Sequence, residues 1–244
     1  MTAPDENLVV REARLPTGNP MGNSTVTAIP MTIANAYLVR DERPILVDAG
    51  GPGSAGRILD ALAKGGVGPK EISLVLLTHG HADHFGSAAE LRRLTGAPVA
   101  VHKLDVDSVR RGRNPALPAT RLRGSLLKPF LPQAAPPVEP DIVFHGETSL
   151  EEFGVGGRVV DTPGHTAGSV SVWLPGEEVI VGDVMMGGHM GGAFRPGVPR
   201  YHYFAEDLGR VRESIDKILD LSPKRIYVGH GGPLDPETVR RRFS

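Results

Sequence analysis

Cysteine is absent from all 244 residues. That excludes disulfide staples and thiolate metal sites, so any metal must be held by nitrogen and oxygen. A chain without cysteine fits a reducing compartment. Neither sign of charge prevails: 27 Lys plus Arg stand against 28 Asp plus Glu, a formal net charge of −1. Nucleic-acid binders usually carry a basic excess or stripe, because phosphate contacts dominate their affinity. The clusters Arg110, Arg111, Arg113 and Arg240, Arg241, Arg242 are read as solvated helix faces, so no nucleic-acid partner is expected. No apolar run approaches the roughly 20 residues that span a bilayer. The opening MTAPDENLVV is acidic and lacks the basic and apolar regions of a signal peptide. The expectation is a soluble, cytoplasmic protein with no membrane partner. No repeat of fixed period is visible, and no linker divides the chain.

What is there is ordinary globular composition, 40% hydrophobic and 23% charged, enough to bury a core without staples. Short runs rich in Val, Ile and Leu end abruptly in glycine or polar residues: ILVDAG (45–50), LVLLTHG (74–80), APVAVH (97–102), RVVDTPGH (158–165), EVIVGD (178–183) and RIYVGHG (225–231). Each is too short for a helix and reads as a strand buried on both faces. Helices are predicted over 54–64 and 87–95, with Ser54 and Ser87 as N-caps, and over 205–221, where Leu208, Val211, Ile215, Ile218 and Leu219 recur at helical spacing before Pro223. Strands alternating with helices predict one layered α/β domain over 1–244. Residues 104–140, rich in Arg, Pro and Leu, are expected to be an insertion of short helices and loops. Residues 184–204, rich in glycine with Pro196 and Pro199, are expected to be a long loop, and long loops in compact domains are usually functional.

Five of the six runs stop at Asp48, His79, His165, Asp183 and His230. Core strands bring such residues together at the carboxyl edge of a sheet, where α/β proteins bind ligands. A lone strand-end histidine is more often structural; five at equivalent ends point to a site. The densest signal is THGHADHFG (78–86), in which His79, His81, Asp83 and His84 fall between a buried strand and a helix. Alternate residues of an extended turn point the same way, so His79 and His81 can bind one cation. Asp83 and His84, where the helix begins, turn toward a second position. Imidazole and carboxylate suit Zn, Fe, Mn or Co. GPGSAG (51–56) also satisfies G-x-G-x-x-G, but no acidic residue follows at the end of the next strand, which ends instead in His79. The glycines are read as a tight turn. His102 and His145 are read as ordinary polar positions.

H-x-H-x-D-H, followed by His165 in PGHTAGS (163–169), Asp183 in VGDV (181–184) and His230 in VGHGGP (228–233), resembles the metallo-β-lactamase superfamily, in its glyoxalase II-like and lactonase-like branch. The resemblance spans 45–233 and implies a four-layer αββα sandwich with a dinuclear metal site at one edge between the sheets. It implies that His79, His81 and His165 bind the first metal, Asp83, His84 and His230 the second, and that Asp183 bridges both. The DAG at 48–50 matches the acidic strand end of the family, which supports the site without being a ligand. Asp48 and Thr78 are the expected partners that orient the ligand imidazoles. The expected cofactors are two divalent metal ions, zinc first, with iron, manganese or cobalt open. Two cations about 3.5–4 Å apart clamp a shared water and lower its pKa, making hydroxide near neutral pH. Asp83 and Asp183 are the expected catalytic carboxylates, Asp83 orienting the nucleophile.

The expected substrate is a small molecule with an ester, lactone, thioester or related bond; β-lactams and phosphoesters stay open. Only 14 residues follow His230, where typical glyoxalase II enzymes add a helical C-terminal domain, so that specific activity is not expected. Lactonases of this branch often carry a tyrosine shortly after the bridging Asp, where this chain has Met185 and Met186. Pocket candidates are Met185, Met186, His189, Phe194, Arg195, Tyr201, His202 and Tyr203, since a chain leaving a bridging ligand passes near substrate. Persulfide dioxygenases resemble this pattern yet use one iron, and a degenerate binding protein is a further alternative; the full set of seven donors favours hydrolysis. A homodimer is the candidate assembly.

Overall fold

A computed structural model describes residues 9–11, 24–115, 118–120 and 122–244. Its strands are β1 (Val9–Arg11), β2 (Thr25–Pro30), β3 (Asn35–Arg40), β4 (Ile45–Val47), β5 (Leu74–Leu76), β6 (Val99–His102) and β7 (Ile142–Phe144). They continue with β8 (Thr148–Ser149), β9 (Arg158–Asp161), β10 (Val170–Leu174), β11 (Glu178–Ile180), β12 (Met186–His189), β13 (Phe194–Arg200) and β14 (Arg225–Tyr227). The helices are α1 (Ala55–Lys64), α2 (Ala82–Phe85), α3 (Ala88–Thr95), α4 (Val106–Arg111), α5 (Leu122–Leu127), α6 (Leu208–Asp220) and α7 (Pro236–Phe243). No helix among the described residues is long and apolar enough to cross a membrane.

One sheet runs β1-β7-β6-β5-β4-β3-β2, parallel from β1 to β4 and antiparallel beyond. The other runs β14-β11-β10-β9-β8, with only β11 and β14 parallel. The two-residue period of a strand sorts the apolar side chains into layers. From the first sheet, Leu38, Leu46, Val75, Leu77 and Val101 face Ile58 and Leu62 of α1 and Leu91 of α3. Their neighbours Val39, Ile45, Val47, Leu74 and Leu76 face the opposite way and meet Val159, Val170, Val172 and Ile180 of the second sheet. On the far side of that sheet, Val179, Ile226 and Val228 pack on Val211, Ile215 and Ile218 of α6 and Val239 and Phe243 of α7. Three apolar interfaces between four layers make the αββα sandwich, and they explain why the runs lack a polar face.

All six expected strands are present, and 54–64, 87–95 and 205–221 hold α1, α3 and α6. Residues 104–140 hold the short helices α4 and α5. The expected long loop over 184–204 is corrected to an antiparallel hairpin: β12 pairs with β13, Met186 opposite Arg200 and His189 opposite Phe194, with an irregularity between Gly187 and His189. Glycine and proline concealed it from a reading of strand propensity. The capping roles of Ser54 and Ser87 are also corrected. Neither side chain caps its helix. The Ser87 hydroxyl instead donates to Gly51 O (2.7 Å) and accepts the Ser54 N–H (2.8 Å), tying the 51–54 turn to the start of α3. Gly86 lies against that turn so closely that an added Cβ would be 2.4 Å from Pro52 N.

The side-chain caps of α6 and α7 are aspartates. Asp207 accepts the N–H groups of Gly209 (2.8 Å) and Arg210 (3.1 Å), and Asp235 accepts that of Thr238 (2.8 Å). Asp207→Ala is expected to lower unfolding stability by about 1 kcal/mol, whereas Ser54→Ala loses no cap. Chemical denaturation measures both; equal losses would refute the assignment.

Candidate metal centre

The site forms where strand ends of both sheets meet. Asp48 follows β4 and the 78–84 segment follows β5, while His165, Asp183 and His230 follow β9, β11 and β14. After β5 the chain bends over 78–80, is extended at His81 and then turns into α2, whose first residues carry Asp83 and His84. Asp48 has φ +63°, in the left-handed region that few side chains adopt. Its carboxylate offsets that strain: Oδ1 accepts the Thr78 N–H (2.8 Å), and Oδ2 receives the Thr78 hydroxyl (2.8 Å) and His84 Nδ1–H (2.8 Å).

The Asp183 carboxylate is the centre of the cluster. Its Oδ2 lies 3.2 Å from His230 Nε2, 3.4 Å from His84 Nε2, 3.5 Å from His165 Nε2 and 3.8 Å from His79 Nε2. His79, His81 and His165 form a triad of edge-to-face rings with centroids 4.6–4.7 Å apart. His81 Nδ1 sits 2.9 Å from His165 Nε2. On the other side His230 Nε2 is 3.5 Å from Asp83 Oδ2. Three sets of donor atoms each fall within 4.8 Å of one another: His79, His81, His165; His79, His84, Asp183; and Asp83, His84, His230. Gly229 makes room for this. A Cβ there would lie 2.0 Å from Asp183 Oδ1 and 2.7 Å from His84 Cε1.

The outer nitrogens are anchored, which turns the inner ones toward the cluster. His84 Nδ1–H goes to Asp48, His165 Nδ1–H to Phe204 O (2.9 Å) and His230 Nδ1–H to Ile33 O (2.8 Å), while His79 Nδ1 meets the Thr78 hydroxyl (3.1 Å). Burial, reinforced by neighbouring imidazoles, holds His79 well below its ordinary pKa. Burial likewise takes His165, beside His81, down to about 3, and it takes His81 to about 3 against the pull of Asp183. Burial opposes charge on His84 and His230 too, but Asp183 leads the carboxylates that raise both above the ordinary value. Burial alone would raise Asp183; His230, His84 and His202 outweigh it and hold the carboxyl well below its usual range. His79, His81 and His165, held neutral beside the anionic Asp183, are in the protonation states that bind a cation, whereas His84 and His230, which that carboxylate favours as imidazolium, must give up a proton when one binds. His79 Nε2, His84 Nε2 and Asp183 Oδ1 are buried with no hydrogen-bond partner among the described residues. Unpaired buried acceptors are costly, and a nitrogen and oxygen set of this kind fits divalent zinc, iron, manganese or cobalt.

All seven donors expected from the sequence therefore lie together, with Asp48 and Thr78 beside them. The eight pocket candidates divide. Met185 is corrected to a core residue, fully buried against α6 and α7, because the chain continues inward after Asp183. Met186 is likewise buried, on β12. Tyr201 is partly buried, edge-on to Phe243 at 4.8 Å and packed against the same core. The Tyr203 hydroxyl accepts the Met190 N–H (3.3 Å), and Arg200 donates to His189 Nε2. Phe194 is exposed, with the Arg195 guanidinium 5.5 Å from its ring centroid. His202 reaches the cluster, 3.4 Å from Asp183 Oδ2.

Two positioning residues were missed. Asp105 is buried; its Oδ2 accepts the N–H of Gly80 (2.7 Å), between His79 and His81, and the hydroxyl of Thr166 (2.7 Å), next to His165. It fastens together the two loops that carry the imidazole triad. Asn114 Oδ1 accepts the Ala82 N–H (2.7 Å) at the start of α2. Both stand in the 104–140 segment, without a local motif to mark them. Gly229→Ala is expected to disrupt the cluster and lower both metal uptake and melting temperature. Gly56→Ala, in α1 with open space around it, is expected to do neither. Metal analysis and thermal melts of the two variants decide this; full metal uptake by Gly229→Ala would contradict the geometry.

A family model, the metallo-β-lactamase superfamily, matches residues 30–230. The chain is 29% identical over 231 residues to the probable metallo-hydrolase YflN of Bacillus subtilis (strain 168), covering 88% of this chain and 87% of the relative. It is 31% identical over 209 residues to the probable metallo-hydrolase YqgX of the same organism, covering 84% and 86%. Among solved structures, a metallo-β-lactamase family protein of Thermus thermophilus superposes with a TM-score of 0.64 at 26% identity, over 90% of this chain and 76% of that one. TTHA1623, solved in a di-iron-bound form, superposes at 0.60 with 26% identity, over 89% and 97%. On its fold, its donor cluster and these relatives, the chain belongs to the metallo-β-lactamase superfamily and is one of its metallo-hydrolases.

Proposed function

We propose that the chain hydrolyses an ester, lactone or thioester bond of a small molecule with two divalent metal ions. The carrying observation is the position of Asp183 between two donor triads, close to both. On this reading His79, His81 and His165 hold one ion, Asp83, His84 and His230 the other, and Asp183 both. Zinc is the first candidate; the di-iron form of TTHA1623, at 26% identity, supports iron as the alternative. A partial likeness supports the thioester and ester class: 33% identity over 131 residues, 54% of this chain and 38% of the relative, to a hydroxyacylglutathione hydrolase of Albidiferax ferrireducens.

When bound, the two ions polarise the scissile carbonyl and make water acidic enough to attack near neutral pH. The residues of the chain supply the rest. Asp48, Phe204 O and Ile33 O retain the Nδ1 protons of His84, His165 and His230, so each Nε2 presents a lone pair. Asp83 is the most exposed of the donors, its side chain 14% accessible. Its carboxylate is placed to orient the attacking water, accept its proton and pass that proton to the leaving group. The charge balance of the chain supports a small-molecule substrate rather than nucleic acid.

Metal-reconstituted protein, assayed on lactones, thioesters, β-lactams and phosphoesters, is expected to prefer the first two. Asp183→Asn is expected to reduce turnover by at least about 100-fold, more than loss of an outer partner costs, and to loosen both ions. Wild-type metal content and turnover in Asp183→Asn would end the dinuclear reading. Turnover confined to phosphoesters or β-lactams would end the substrate reading.

A further inference from the structure

The imidazole of His202 is arranged like the donors, although no donor motif contains it. Its ring stands edge-to-face on His165, with centroids 4.6 Å apart and planes at 88°. Those values repeat the relation of His165 to His81, 4.6 Å and 80°, and to His79, 4.7 Å and 87°. Its Nε2 lies 3.4 Å from Asp183 Oδ2, inside the 3.2–3.8 Å spread of the other four imidazoles around that oxygen. His165, Asp183 and His202 form a further set with donor atoms within 4.8 Å of one another. The outer nitrogen is anchored as well: Nδ1 lies 3.2 Å from Phe204 O, the carbonyl that also receives His165 Nδ1–H.

The backbone around His202 is held from two sides. Thr120 donates its hydroxyl to His202 O (2.8 Å) and its N–H to Tyr203 O (2.9 Å). Downstream, Glu206 N donates to His165 O (3.1 Å) and Asp207 N to Gly164 O (2.9 Å), tying the segment to the loop that carries His165. The side chain of His202 is 10% exposed, against 5% or less for His79, His84, His165 and His230. It is the most exposed of these five imidazoles.

We propose that His202 is an eighth, exchangeable donor, which joins His165 and Asp183 on the bound cation at rest and yields its place to an oxygen of the substrate. This rests on the dinuclear reading above. The exchange swaps one neutral lone pair for another, so no proton or electron changes hands.

The alternative is geometric too. Phe204 N–H points at His202 Nδ1 (3.3 Å), and in the tautomer that accepts it, Nε2 carries a proton and can only donate a hydrogen bond. Cobalt(II) separates the two. Wild type, His202→Ala and His202→Gln are loaded with Co(II); metal content, affinity by chelator competition and the visible d–d spectrum are measured, with thermal melts showing that each variant folds. The proposal predicts that both variants bind one of the two ions at least about tenfold more weakly. It also predicts stronger visible absorption as coordination number falls, and return of the wild-type spectrum when imidazole is added to His202→Ala. Spectra and affinities superimposable on wild type, even with turnover reduced, would make His202 a hydrogen-bond donor to substrate and overturn the proposal. Wild type that takes up fewer than two ions would instead fail the dinuclear reading itself, and the proposal with it.

Discussion

The Asp183 carboxylate, almost fully buried, has five imidazole Nε2 atoms within 3.2–3.8 Å of one oxygen. A charge in such a place is tolerated only when opposite charge or a cation compensates it. The rest of the site follows from that constraint. Gly229 lacks a Cβ because Asp183 and His84 occupy the space. Asp48 accepts a left-handed backbone so that its carboxylate can hold His84 and Thr78. Phe204 and Ile33 supply carbonyls where their imidazoles need an acceptor.

The sandwich makes that concentration affordable. Three apolar interfaces, with Leu46 and Val75 on one face of the first sheet and Ile45 and Leu76 on the other, carry the stability through burial of aliphatic surface. The polar cluster is confined to the edge where strands end, and there the structure gives up packing for unpaired nitrogen and oxygen atoms. Strain and unsatisfied groups at a functional site, offset by the surrounding fold, are the usual division between stability and activity. Rigidity at that edge comes from outside the donor motifs: Asp105 links the loops of His79 and His165, and Asn114 and Thr120 bind the start of α2 and the backbone of His202.

The metal-donor pattern was legible in sequence because its chemistry is local. His79, His81, Asp83 and His84 share one turn, and His165, Asp183 and His230 each terminate an unmistakable aliphatic run. The buried strands were legible for the same reason: a run with no polar face can only lie between two layers. Strands β1, β2, β3, β7, β8 and β10 were not expected, although β2, β3 and β10 pair with the strands next to them along the chain. The hairpin of β12 and β13 was hidden by glycines and prolines, which lower strand propensity yet fit a short, irregular ribbon.

By itself the sequence determined the layered α/β class and marked the seven candidate donors, because aliphatic runs, the H-x-H-x-D-H turn and the polar residues that end those runs are local patterns. Tertiary structure alone decided that Met185 belongs to the core and Tyr201 packs against it, that Asp105 clamps two loops, and that His202 stands beside Asp183. The reason is physical: these side chains act across contacts between segments far apart along the chain, and a contact of that kind is fixed by how the two sheets meet, which no local pattern encodes.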